Sequence, residues 1–257
     1  MSYQNIVEVR SPLLGGIYAA TLFLETLHSK PDGAVFGFPT GSSPENFYAI
    51  LSGLAVTGKL NDYSFSTTNM DEYIGLHPNH PQSYYYFMKD NLFAALSFSG
   101  VACEYYIPDG IIEPSEACRA YDNILDMLGR KDIQFAGIGP GKLGDSQEDM
   151  SPHLGFNMKG DSFDLRTHVV NLDAATIEAN SRFFEHIEDV PRQAITTGIK
   201  DFLNSDQLVL FAYGKSKAGS LKLALEGPIS EAVPASAIRL HHNVTIIADS
   251  AALAGLR

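Results

Sequence analysis

No apolar run in the chain approaches the roughly 18 residues of a membrane span. The opening stretch MSYQNIVEVR places polar and charged residues where a secretion signal needs an apolar core, so a cytoplasmic protein is expected. Cysteine is scarce: Cys103 and Cys118 have neither CxxC spacing nor the density of a disulfide scaffold, and reduced thiols without a functional role are expected. Positive charge is scarce too. Eighteen Lys and Arg against 30 Asp and Glu give a net charge of −12, which argues against a nucleic-acid-binding surface. An anionic ligand would have to be held by a few local groups. Repeats and low-complexity linkers are also missing, and a single domain over residues 1–257 is expected.

What is present is a 45% apolar chain, enough for a sizeable core, in which short apolar runs alternate with longer helical patterns. That alternation predicts a doubly wound, mostly parallel Rossmann-like α/β sheet with helices on both faces. Helices are expected over residues 13–29, 43–55, 83–95, 113–128 and 216–227. Strands are expected over 34–38, 64–70, 133–139, 167–172, 207–213 and 244–249. Ser43 is expected to cap the second helix, with Pro44 in its first turn. Ligands of such sheets sit at the carboxyl ends of the strands.

Three stretches fall there. In FPTGSSPE (38–45) a strand runs through a turn rich in Thr, Gly and Ser into a helix, so backbone N–H groups, hydroxyls and a positive helix end converge as a phosphate site would require. An ordinary capped turn is the plainer alternative, and the absence of GK[ST] rules out a Walker loop. In TTNMDEYIG (67–75), Asp71 and Glu72 follow a strand directly, and only one of two adjacent residues is expected to face a cleft, where it would serve as a general base. The competing reading is a solvated pair. His77 and His80, in the following HPNHPQSYYYFM, lack partners at ligand spacing, and no metal is expected. Finally, ANSRFF (179–184) and YGKSKAGS (213–220) bring Arg182, Lys215 and Lys217 to strand ends, where cations would neutralise a phosphate. Taken singly, each is also explained as a solvated surface cation.

FPTGSSP, NMDEYIGLHPNHPQSYYYFM, ANSRFF, VPRQAITTGI and GKSKA occur in the order and approximate spacing of the glucosamine-6-phosphate deaminase/isomerase family, which the chain resembles over about residues 38–248. NMDEY with HPxSYY is similar to this branch rather than to the related 6-phosphogluconolactonases. The resemblance implies an enzyme that opens the ring of a glucosamine- or galactosamine-6-phosphate and isomerises it to the ketose phosphate with loss of ammonia. It implies Asp71 as the proton-shuttling base, Thr40, Gly41, Ser42 and Ser43 lining the phosphate site, and Arg182 and Lys217 gripping the phosphate. The resemblance also implies that neither a metal nor an organic cofactor is needed; a small-molecule sugar phosphate is the expected partner, and homo-oligomerisation stays open.

The resemblance breaks at FAGIGPGKLGDSQEDMSPHLGFN (135–157), where the family pattern reads G-x-G-x-D-G-H-I-A-F-N-E-P. With a gap, PHLGFN aligns on GHIAFN and the ring-opening histidine becomes His153. Its two acidic partners become Ser151 and Met158, and a methionine cannot accept an imidazolium N–H. Asp145, Glu148 and Asp149 in the inserted GKLGDSQEDMS are the candidate substitutes, Asp149 foremost; a solvated acidic loop is the alternative. The basic residues that allosteric members carry after the Arg-Thr pair are His168 and Val170 here, and the longer allosteric tail is missing beyond Arg257, so that regulatory site is expected to be absent. Two other functions remain open: hydrolysis of a 6-phosphosugar lactone with His153 activating water, and a catalytically weak sugar-phosphate binder.

Overall fold

The computed structural model describes residues 3–139, 151–172, 174–182 and 184–256. In chain order the first half runs β1 (Tyr3–Val9), α1 (Pro12–Ser29), β2 (Asp32–Phe38), α2 (Glu45–Val56), β3 (Ser64–Asn69) and β4 (Asp71–Tyr73). There follow α3 (Tyr84–Met88), a π-helical turn (Lys89–Phe93) and α4 (Ala94–Phe98) as one continuous rod, then β5 (Ala102–Tyr106), α5 (Pro114–Leu128) and β6 (Lys131–Gly137). The second half adds β7 (His168–Asn171), α6 (Ala174–Ser181), β8 (Gln193–Thr196), α7 (Ile199–Leu203) and β9 (Ser205–Ala212). It ends with α8 (Ala218–Glu226), β10 (Asn243–Asp249) and α9 (Ser250–Leu253).

Seven strands form a wholly parallel sheet in the order β1-β10-β9-β6-β2-β3-β5. The chain winds outward from β2 through β3 to β5, returns to β6 beside β2, and then winds the other way through β9 to β10. The strand order therefore reverses between β2 and β6, and a crevice opens at their carboxyl ends. Alternation along the central strands feeds two cores. Phe135, Val209, Phe211 and Ile247 pack with α1 and α2 on one face. Their neighbours Ala136, Leu208, Leu210, Ile246 and Ala248 pack with α7, α8 and α9 on the other. The first face is aromatic, with Phe47 against Phe135 at 4.7 Å between ring centroids and Phe23 against Phe36 at 4.4 Å. Truncating any of these fully buried rings to Ala is expected to cost about 3–5 kcal/mol.

Local chemistry starts the helices. Ser11 Oγ accepts from Leu14 N with Pro12 in the first turn of α1, Ser83 Oγ accepts from Tyr86 N, and Glu113 accepts from Glu116 N ahead of Pro114. The expected cap at Ser43 does not form. α2 begins at Glu45, its N-cap is Pro44 with helical φ and ψ of −88° and −1°, and no side chain caps it. Ser43 is thus left in the turn before the helix.

A second correction concerns residues 167–172. They do not join the parallel sheet but form β7 of a small antiparallel sheet ordered β4-β8-β7, in which Asp71 pairs with Thr196 and so does His168. β4 follows β3 after the single residue Met70, so this small sheet is tethered directly to the carboxyl edge of the large one.

Candidate active site

The crevice at the switch point is a cleft of about 190 Å³. Its lining includes Thr40, Gly41, Ser42 and Ser43 after β2, Asp71 and Tyr84, Gly137 to Gly139 at the end of β6, and His153, Arg182 and Lys217. Asp71, His153, Thr40, Gly41, Ser42, Ser43, Arg182 and Lys217, all expected from the sequence, therefore converge there, while Asp149 lies with Asp145 and Glu148 outside the described residues. Lys215 is exposed and does not line the cleft, so of the two turn lysines Lys217 alone faces it.

The cradle at 39–43 is held from behind. The Tyr48 hydroxyl donates to the Pro39 carbonyl, and Asn69 Nδ2 donates to Phe38 O at 3.1 Å, locking the ends of β2 and β3 together. Gly41 has φ +88°, a left-handed conformation that glycine adopts without strain. The Gly214 turn is built differently. Its N–H donates to both carboxylate oxygens of Asp249 at 3.0 Å, so this turn offers the cleft a side chain rather than that backbone donor. That side chain is Lys217, whose Nζ donates to Ile138 O at 2.7 Å. Burial pushes the Lys217 ammonium down to about 8, and the nearby Arg182 guanidinium pushes it the same way. Lys217 and Arg182 thus bring two positive charges to this side of the cleft.

Asp71 and Glu72 have opposite fates. Glu72 turns away from the cleft and accepts from Tyr73 N at 2.8 Å and from Tyr84 N and Tyr85 N at 2.9 Å, capping α3 with a buried carboxylate. Burial raises it to about 7 against the lowering effect of those bonds. Asp71 is 5% exposed and lines the cleft, and no described residue donates a hydrogen bond to its carboxylate. Burial, and after it the charge of Glu72, pushes Asp71 up to about 8. A cation arriving beside this carboxyl would lower its pKa again and favour the carboxylate.

His153 sits opposite on a turn shaped by two glycines. A Cβ at Gly139 would come within 2.1 Å of His153 Nε2, so only glycine lets the imidazole lie against the end of β6; Gly139 N also donates to His153 O at 2.9 Å. Gly155 has φ +55°, and a Cβ there would meet Thr196 Oγ1 at 2.9 Å and Asp71 Oδ2 at 3.4 Å. The residues at the two altered positions point elsewhere: Ser151 Oγ donates to Ala232 O at 3.3 Å, and Met158 packs in the aromatic cluster of Tyr73, Tyr84 and Phe156. Sequence reasoning missed Tyr84, Gly139 and Gly155. The tyrosine was hidden in a triple-Tyr helix start, whereas Gly139 closes a GIG turn and could have been suspected of a close approach.

Among the described residues no group of three or more His, Cys, Asp or Glu side chains is placed to hold a metal ion, and no helix is long and apolar enough to cross a membrane.

Fold and cleft together define a Rossmann-like α/β protein whose cleft at the topological switch is lined by Asp71, His153, Lys217 and Arg182. No protein-family model matches the chain. Glucosamine-6-phosphate deaminase 1 of Bacillus subtilis is 42% identical over 232 residues, covering 90% of each chain. The glucosamine-6-phosphate deaminase of Streptococcus equi subsp. zooepidemicus is 42% identical over 254 residues, covering 98% of this chain and 99% of its own. A solved monomeric glucosamine-6-phosphate deaminase superposes with a TM-score of 0.87 at 38% identity, covering 98% of this chain and 99% of that one. A 6-phosphogluconolactonase from Trypanosoma cruzi gives a TM-score of 0.75 at 16% identity over 100% of this chain and 98% of its own, a likeness of fold alone. The chain belongs to the glucosamine-6-phosphate deaminase family.

Proposed function

We propose that this protein converts a 2-amino-2-deoxyhexose 6-phosphate, of the gluco or galacto series, to the ketose 6-phosphate and ammonia. The observation that carries the reading is the cleft itself, which buried Asp71 lines together with His153, Lys217 and Arg182. The phosphate lies in the Thr40–Gly41–Ser42–Ser43 cradle, against Lys217 and Arg182. His153 moves a proton to the ring oxygen as the ring opens. Asp71 then takes the proton from C2 while the C1 carbonyl oxygen gains one, giving an enolamine, and returns a proton at C1 to give the C2 iminium; water adds at C2 and ammonia leaves. Water replaces nitrogen, so the overall reaction is a hydrolytic deamination. Asp71 must be ionised to begin, and the substrate ammonium supplies the charge that draws its proton off.

Every step is a proton transfer or the addition and loss of a small neutral molecule, and the reaction is proposed to be metal-independent; activity that survives exhaustive chelation supports this. A cytoplasmic location fits the two free thiols, Cys103 and Cys118. The deciding experiment measures ammonia and ketose 6-phosphate release from glucosamine-6-phosphate and galactosamine-6-phosphate, beside hydrolysis of 6-phosphogluconolactone. Ammonia from either amino sugar supports the reading; lactone hydrolysis without deamination, or binding without turnover, overturns it.

A further inference from the structure

The turn that carries His153 and the strand that carries Asp71 are fastened to the same short segment, residues 196–197. Thr196 lies directly opposite Asp71 in the β4–β8 ladder, and Thr197 N donates to Met70 O at 2.7 Å, so the backbone around Asp71 is fixed on both sides of its pairing. From the other direction, Phe156 N donates to Thr196 Oγ1 at 3.1 Å. Asn157 Nδ2 donates to Thr197 O and to Leu154 O, both at 2.9 Å, closing the turn on itself and onto β8. Thr196 and Asn157 are 0% exposed, so neither competes with solvent for these bonds. Gly155, between them and His153, leaves room for the Thr196 hydroxyl and the Asp71 carboxylate at one point.

We infer that Thr196 and Asn157 are positioning residues: they clamp the His153 turn to the strand bearing Asp71 and so set the distance between the two acid–base groups. This rests on the reaction proposed above. A clamp is needed because the two groups come from segments far apart in sequence, and an acid–base pair works only when both members meet the substrate in one geometry.

The test compares Thr196→Val, which keeps the shape and deletes the hydroxyl, with Thr196→Ser, which keeps the hydroxyl. Thr196→Val is expected to lower kcat on the cyclic amino-sugar phosphate by roughly a hundredfold with KM unchanged, as a misplaced reacting group does. Exchange of the C1 hydrogen of the ketose 6-phosphate in heavy water, which needs Asp71 but no ring opening of an amino sugar, should fall much less, and Thr196→Ser should restore both. A lowered melting temperature with kcat intact would reduce the clamp to ordinary structure and overturn the inference. A second readout needs no turnover: the ring NMR resonances of His153 should move in Thr196→Val and lie at their wild-type positions in Thr196→Ser. If the wild-type protein releases no ammonia, the proposed reaction fails, and unmoved His153 resonances then overturn the clamp on its own terms.

Discussion

Two charged clusters stand at opposite ends of the same sheet. At the amino ends of β6 and β9, Arg166 reaches Asp126 at 3.0 Å, Asp201 at 3.6 Å and Asp122 at 3.8 Å, and buried Lys131 donates to Asp201 O at 2.9 Å. At the carboxyl ends, Asp71 adjoins Glu72, and Lys217 lies near Arg182. The groove beside Arg166 is the larger, about 630 Å³ against about 190 Å³ for the switch-point cleft. Size is not what separates them. Lys131 and Lys217 are both lowered to about 8 by burial, but the next influence on Lys131 is Asp201, which opposes the shift, whereas on Lys217 it is Arg182, which deepens it. Opposite charges drawn together hold elements in place, whereas two cations held close together raise the cost of each other's charge.

The sharpest way to break this comparison is Asp71→Asn. It removes the proposed base while keeping shape, and kcat should fall roughly 10²–10⁴-fold with phosphate-dependent binding retained. The same variant should gain stability at alkaline pH. Because burial raises Asp71 from 3.8 to about 8, the folded state holds a proton that the unfolded state releases, so the wild type loses stability as pH rises through that interval and the variant does not. Denaturation at pH 5 and pH 8 should show the variant's advantage growing with pH, on the order of a few kcal/mol at most. Full activity, or an advantage confined to acid, would remove Asp71 from the site.

At the cationic end, Lys217→Met should raise KM about 10- to 100-fold with a smaller change in kcat, the size expected for one charged hydrogen bond to phosphate. An equal loss on a substrate lacking phosphate would place the lysine elsewhere. The matching change at the other end, Arg166→Ala, should leave kcat and KM unaltered and cost about 1–3 kcal/mol in stability. That sum is kept below the value for a fully buried pair because the arginine side chain is 33% exposed and partly screened. Activity lost with Arg166 and stability intact would reverse the assignment of the two ends.

How far the sequence revealed these ends depended on which contacts were local. β2, β6, β9 and β10 were legible because strands buried on both faces read as continuous apolar runs. The edge strands β1 and β5 were missed, since their mixed, half-exposed sequences carry no such run, and four-residue β8 is too short to signal itself. β7 was legible as a strand but was assigned to the wrong sheet, because pairing with β8 is decided more than 20 residues away. The cradle, Asp71 and His153 stood out through strand ends and motif spacing. Thr196 and Asn157 did not, for each acts on a partner 40 positions distant and is an unremarkable residue in its own neighbourhood.

The smallest expected effect tests the division between the two adjacent carboxylates. Glu72→Gln keeps the shape and one acceptor oxygen, but turns an amide NH₂ toward one of the three backbone N–H groups that Glu72 receives. At pH 5 this should cost about 1 kcal/mol, the value of one hydrogen bond. Glu72 is itself raised from 4.5 to about 7, so the wild type loses stability as pH rises through that range while the glutamine variant is spared. The deficit should therefore shrink between pH 5 and pH 8, with kcat changing far less than in Asp71→Asn. A deficit that instead widens with pH would mean that the three N–H donors stabilise the charged carboxylate more than burial opposes it. A loss of kcat comparable to that of Asp71→Asn would mean that both carboxylates, not one, serve the cleft.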